Sequence, residues 1–270
     1  MMLTPEQTTS LINQILAQRL YRGLDIPPET VEDLIQREAD EGKNERTIIK
    51  NVRRKMHHLM ADYLGDVDYA QAEKWLEKAY SSPDKGSIKE TCTRIMSCHA
   101  STRERLAHLE NFYQSIFAAC GQPETILDLA CGLNPFALPW MNLPPATQYH
   151  AYDIHSPRIR LINRFFRLEQ RPMLGEVRDI LVDPPEHSAD MAFFFKEAHR
   201  MEQRRKGANR ELWQALKVKT LVVSLPAASL SGQHDLSRQM RTLVDTTLSG
   251  LQWKLQELQS GNEIIFCIQK

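Results

Sequence analysis

A chain of 270 residues, 42% hydrophobic and 25% charged, is long enough to bury one large core and a small one, which excludes a fibrous or extensively disordered design. Lys plus Arg (34) balance Asp plus Glu (34), so net charge supports no nucleic-acid role and any basic footprint must be local. The five cysteines form no C-x-x-C pair and no zinc-like spacing with histidine, so no metal is expected; no stretch approaches the ~20 apolar residues of a membrane span and no leader-like start precedes Thr4, so a cytoplasmic protein with free thiols is expected.

From Thr4 to about Met96 apolar residues recur at three and four, with breaks at Pro27-Pro28, Gly65 and Ser81-Ser82-Pro83-Asp84, which predicts a small all-helical domain over residues 1–97. Within it Lys50, Arg53, Arg54 and His57 follow helical spacing, with Ile49, Val52, Met56 and Leu59 on the other face. Such a stripe suits phosphate contacts that position without reading sequence, although many charge stripes are only solvated faces. A second helical stretch, Ser101 to Ala119, opens with Ser101 placed to cap the backbone and Glu104 at the capping-box position.

After Gly121-Gln122-Pro123 short apolar runs alternate with spacers. The predicted strands are Thr125 to Leu129, Gln148 to Asp153, Pro172 to Val177, Met191 to Phe195, Thr220 to Leu225, Trp253 to Gln259 and Glu263 to Gln269. Strands separated by crossovers imply a parallel, doubly wound sheet. The last two, joined only by Ser260-Gly261-Asn262, are too close for a crossover and read as an antiparallel hairpin. The expected fold class over residues 98–270 is therefore α/β with a mostly parallel seven-stranded sheet, an arrangement typical of Rossmann-like class I methyltransferases.

In such a sheet a ligand sits beyond the carboxyl ends of the strands. The first exit loop, Ala130-Cys131-Gly132-Leu133-Asn134-Pro135, holds one glycine, whereas a dinucleotide site wants G-x-G-x-x-G at a helix start. S-adenosylmethionine, which has no phosphate, needs no such cradle. Asp128 is placed to organise the loop or to accept from the methionine ammonium, and Ala130, Gly132 and Asn134 to border the cofactor. Asp153 ends the second strand, where a carboxylate can accept from ribose hydroxyls, with Ile154 beside it. Asp179 follows the third, where it can accept from the adenine amino group while Ile180 packs on the ring. One aspartate is more often a turn former; three in register after three successive strands are better explained by a cofactor.

Asp183-Pro184-Pro185 resembles the motif of amino-group methyltransferases, but it follows the third strand and carries Glu186 where an aromatic residue would stack, so it reads as a loop. Carbon methylation of pyrimidines wants a cysteine nucleophile after a late strand, and Phe195-Lys196-Glu197 and Leu225-Pro226-Ala227 carry none.

His99-Ala100-Ser101-Thr102-Arg103-Glu104-Arg105-Leu106, followed by Asp128 to Pro135, closely resembles the aminoglycoside-resistance 16S rRNA guanine-N7 methyltransferases. The likeness continues through Tyr152-Asp153-Ile154-His155, Asp179-Ile180-Leu181, Phe195-Lys196, Ser224-Leu225-Pro226, Ser229-Leu230 and Gly261-Asn262-Glu263. It implies methylation of a decoding-site guanosine within 30S subunits, docking by the amino-terminal domain, a monomer, and aminoglycoside resistance. It also implies that His99, Arg105, Asp153 and Asp179 hold S-adenosylmethionine, that Lys196 lies near the transferred methyl and the target guanine, and that Arg200, Arg204, Arg205 and Ser229 join Lys50, Arg53 and Arg54 in contacting RNA. Ala228 and Gly232-Gln233 stand where members usually carry a basic residue and a Gly-Arg pair. On residues alone Arg105 could be a surface partner of Glu104 or Glu110, and His99 a helix cap. A Rossmann methyltransferase of another rRNA base or of a small molecule, or a non-catalytic ribosome-binding protein, also stays open.

Overall fold

Strand β1 (Thr125–Leu129) is apolar on both faces, as a strand covered on two sides must be. It is an interior strand of a seven-stranded sheet of order β3-β2-β1-β4-β5-β7-β6, built with β2 (Gln148–Asp153), β3 (Gly175–Val177), β4 (Ala189–Phe195), β5 (Val218–Pro226), β6 (Lys254–Ser260) and β7 (Glu263–Gln269). The first five strands are parallel; β7 runs antiparallel to β5 and also to β6, the latter as the short Gly261–Asn262 connection requires. Gly261 in that turn has φ +54°, and a β-carbon there would lie 2.6 Å from His108 Cδ2, so this position needs glycine twice over. The computed structural model describes residues 3–18, 21, 25–60, 67–82, 84, 86–229 and 234–270.

The helices are α1 (Pro5–Leu16), α2 (Pro28–Asp40), α3 (Glu45–Met60), α4 (Tyr69–Ser81), α5 (Gly86–Met96), α6 (Ala100–Arg103), α7 (Leu109–Cys120), α8 (Leu138–Met141), α9 (Ser156–Leu168), α10 (Ala198–Arg204), α11 (Ala208–Ala215) and α12 (Ser237–Leu248). Alternate strand residues feed two cores: Ile126, Tyr149 and Phe193 pack beneath α7 and α9, while Leu127, Tyr152 and Phe194 pack beneath α10 to α12. Among the described residues, no helix is long and apolar enough to cross a membrane.

Several boundaries differ from expectation for physical reasons. Residue 97 marks no change in packing. Ala72 and Leu76 of α4 and Cys92, Ile95 and Met96 of α5 share the core of the sheet, and only α1 to α3 build a separate small core around Ile15, Ile35, Val52 and Met56. The helical run before residue 60 has an unexpected break, because Gly42 takes φ +75° and Asn44 accepts from the Thr47 amide at 3.0 Å to start α3 afresh. The expected break at Gly65 lies outside the described residues. Strand β3 is shorter than predicted, whereas β4 and β5 extend beyond it. Ser101 to Ala119 is not one helix: α6 gives way to a 3-10 turn at Leu106–His108 before α7 begins. The Ser101–Glu104 capping box does not form, since the Ser101 hydroxyl pairs with His99 Nδ1 at 2.8 Å and the Glu104 carboxylate takes the Lys196 ammonium at 2.6 Å. For the Glu104 carboxylate a cationic ammonium is a stronger partner than a neutral backbone N–H.

Candidate active site

The strand order reverses between β1 and β4, and the exits of β1, β2 and β4 open into one cavity of about 550 Å³. Its floor is the loop after β1. Ala130 (φ +47°) and Gly132 (φ +55°) both take the left-handed conformation, which an alanine adopts only when its surroundings impose it, at about 1–2 kcal/mol. What imposes it is the end of β2. The Cys131 amide donates to the Tyr152 carbonyl at 2.8 Å, and the Gly132 amide donates to Asp153 Oδ2 at 3.0 Å. Asp153 also receives the His155 amide at 2.9 Å and the buried Arg158 guanidinium at 3.1 Å, so its position is held from three sides.

Asp128 lies behind this floor. Its Oδ2 accepts from the Tyr149 hydroxyl at 2.6 Å and from Asn134 Nδ2 at 3.0 Å, while Asn134 Oδ1 accepts from Tyr113 at 2.6 Å and from Arg105 at 2.8 Å. Asn134 lines the cavity and Asp128 does not, so of the two roles expected for Asp128 its contacts are those of a loop organiser. Burial pushes its carboxyl up to about 7, against the opposing effect of the two donors. The folded chain therefore holds this proton more tightly than the unfolded one. Stability from this source is complete below about pH 3.8 and is lost as pH rises through about 7. The stability of wild type minus that of Asp128→Asn should fall steadily over this range in urea-midpoint measurements; a flat difference would mean that Asp128 is ionised throughout.

Arg105 is no surface partner of Glu104 or Glu110. Its side chain is 3% exposed, its Nε and Nη2 donate to Glu263 at 3.0 and 2.7 Å, and its plane lies over Phe112 and Phe195. Glu263 is equally buried and also accepts from Ser224 Oγ at 2.7 Å. Burial alone would raise its carboxyl, but Arg105, Lys196 and Ser224 together hold it below its ordinary value. Sequence reasoning gave Glu263 no role. The available signal was an acidic residue opening the otherwise apolar run Glu263-Ile264-Ile265-Phe266-Cys267-Ile268.

Lys196 is the first residue past β4. It takes φ +58°, its amide donates to the Ser224 carbonyl at 2.7 Å, and its ammonium sits 2.6 Å from Glu104 and 3.5 Å from Glu263. It lines the cavity, as do His99, Ile154, Asp179 and Ile180. His99 holds the N-cap position of α6 without a capping bond from its side chain.

The expected RNA contacts divide. Lys50, Arg53 and Arg54 are exposed on α3, and Arg200 lies at the cavity rim near Glu197. Arg204 instead turns inward onto Asp179 at 2.6 and 2.9 Å, Arg205 pairs with Glu211, and Ser229, not among the residues lining the cavity, is bonded to His234 through its amide and its hydroxyl. Arg204 and Arg205 thus each meet a carboxylate within the chain. Ala228 is bonded to Asn262 of the hairpin turn, while Gly232 and Gln233 lie outside the described residues. The opposite wall of the cavity was not foreseen: Leu34 of α2 and Lys55, His58 and Leu59 of α3 face it.

The sheet order, the antiparallel hairpin and a cavity at this switch point define a class I methyltransferase. The family described as "Ribosomal RNA methyltransferase (FmrO)" matches residues 18–267. The chain is 33% identical over 226 residues to the 16S rRNA (guanine(1405)-N(7))-methyltransferase of Micromonospora echinospora, covering 82% of each. It is 31% identical over 272 residues to that of Frankia casuarinae, covering 98% of this chain and 95% of the relative. Among solved structures it is similar to the 16S rRNA methylase RmtB, with a TM-score of 0.78 at 27% identity, covering 99% of this chain and all of the other. The chain belongs to the FmrO family of ribosomal RNA methyltransferases.

Proposed function

We propose that this protein is a 16S rRNA (guanine(1405)-N(7))-methyltransferase that uses S-adenosylmethionine and acts on assembled 30S subunits in the cytoplasm as a monomer. The observation that carries this reading is one cavity whose wall joins the strand-exit residues Gly132, Asp153 and Ile180 to Lys196 and to the inner face of α3.

The cofactor fits the residues present: the left-handed loop at Ala130–Gly132 admits close backbone approach, Asp153 is aimed at a ribose, and Ile154 and Ile180 supply apolar faces for an adenine. Bound there, it supplies an electrophilic sulfonium methyl. Guanine N7 has an in-plane lone pair and no proton to lose, so the protein needs no general base and its work is positioning. Lys196, at the cavity wall, would offer its ammonium as a donor to the target guanine and so help to position it. Because methyl transfer leaves the base positively charged, a bare lysine would oppose it; Glu104 and Glu263 around the ammonium balance that charge.

Phosphate contacts fall to the exposed basic face of α3. Charge reversal of Arg53 and Arg54 together should weaken 30S binding roughly tenfold or more and flatten its salt dependence, with cofactor affinity unchanged. Filter binding across a salt series measures this, and an unchanged slope would reduce the stripe to a solvated face. The function itself is tested by mass-spectrometric mapping of 16S rRNA after expression. N7-methylguanosine at position 1405, with loss of aminoglycoside susceptibility, is the expected result, and methylation of a different base or only of a small molecule would overturn it.

A further inference from the structure

Glu197 is the second residue past β4 and, like Lys196, it lines the cavity. In an extended strand successive side chains point to opposite faces. Lys196 ends that alternation with φ +58°, and Phe195, Lys196 and Glu197, three residues in a row, all border the same space. A left-handed lysine is a backbone state that persists only where its surroundings impose it, and such states gather at ligand sites. Glu197 holds the N-cap position of α10, yet its side chain makes no capping bond. Its ion pair with Arg200, at 3.7 Å, is longer than a hydrogen bond and joins two partly exposed groups, so a ligand can replace it at small cost. One stretch of cavity wall therefore offers an ammonium and, from the next residue, a carboxylate.

This inference rests on the reading that the target is a guanine. A base turned out of its stack is read through hydrogen bonds to its edge. Along its Watson–Crick edge guanine presents an acceptor, O6, and then two donors, N1–H and the 2-amino group. Adenine presents a donor where guanine has O6 and an acceptor where guanine has N1–H. A donor followed by an acceptor on the protein therefore matches guanine and opposes adenine. We propose that Glu197 is a specificity-determining residue for the target base: its carboxylate accepts from N1–H and the 2-amino group while the Lys196 ammonium serves the O6 side. N7, beyond O6 on the other edge, is left open to the methyl donor. Two donors on one carboxylate make a paired, charge-assisted contact, about twice as strong per bond as a neutral one.

Single-turnover methylation of 30S subunits carrying guanosine or inosine at the target position tests the assignment, because inosine lacks only the 2-amino group. Wild type should methylate the guanosine subunits roughly 10- to 100-fold faster, the fold-change of one hydrogen bond to a charged group. In Glu197→Ala the guanosine rate should fall by at least that factor and the preference for guanosine should collapse toward one, with affinity for S-adenosylhomocysteine unchanged in calorimetry. Each enzyme meets the same two substrates, so any effect of inosine on the RNA itself cancels. Glu197→Gln keeps the size but replaces an acceptor with a donor; it should show the same collapse, and it carries the test if the alanine variant does not fold. A wild type without preference, or a preference that survives in the variants, overturns the proposal. A drop in cofactor affinity matching the drop in rate would assign Glu197 to the cofactor and overturn it as well. Wild type that methylates no guanine N7 in 30S subunits would instead overturn the reading of the target, and this inference with it.

Discussion

Lys196→Ala is expected to lower the rate of 30S methylation by roughly 10²–10³-fold, the usual consequence of removing one pre-aimed donor from a site that works by positioning. Affinity for S-adenosylhomocysteine should change far less, because the floor loop and Asp153 are held by Tyr152, His155 and Arg158 and not by the lysine. Folding should also survive. Glu263 keeps Arg105 and Ser224 when the lysine is gone, and Glu104, 27% exposed, can be rehydrated. Single-turnover methylation and calorimetry on the same preparation separate the two quantities. A parallel loss of cofactor affinity would remove Lys196 from the target side of the cavity.

Glu263→Ala should destabilise the fold by about 3–5 kcal/mol, the range for stripping one partner from a buried ion pair. The variant leaves the Arg105 guanidinium, enclosed by Phe112 and Phe195, without its carboxylate, and leaves the Ser224 hydroxyl without its acceptor. Glu263→Gln keeps the volume and part of the hydrogen bonding but not the charge, and should fall between wild type and alanine. Urea unfolding measures both. A loss below about 1 kcal/mol for the alanine variant would mean that Arg105 reaches water and that the pair is not the closed unit seen here. Methylation should fall too, since Glu263 is one of the two carboxylates flanking Lys196.

The two effects have different physical origins. Lys196 sits at the cavity wall, so on the proposed reading its removal is read in rate. Glu263 acts behind it, so its removal is read first in stability and only then in rate. Asp128 resembles Glu263 in this respect: a buried carboxylate that serves the site by holding Asn134, and through it Arg105, in place.

The strand sequence and the cofactor loop were legible from residues alone because they are short-range properties. Period-two burial makes Ile126 and Leu127 face opposite cores, and so short a connection as Gly261–Asn262 can only join antiparallel strands, so β6 and β7 had to form a hairpin. Asp153 and Asp179 stood out for the same reason, Asp153 closing β2 and Asp179 lying just past β3. What the tertiary structure decided were the pairings. Arg105 meets Glu263 across 158 positions and Thr30 meets Asp179 across 149, and no spacing rule reaches so far. That distance is why the Asp179 partner of Arg204 went unseen, and why Glu104 read as a backbone cap when it holds Lys196. A charge on a predicted helix says only that a partner is wanted; whether that partner is a phosphate, water or a buried carboxylate is settled by which elements the fold packs against it.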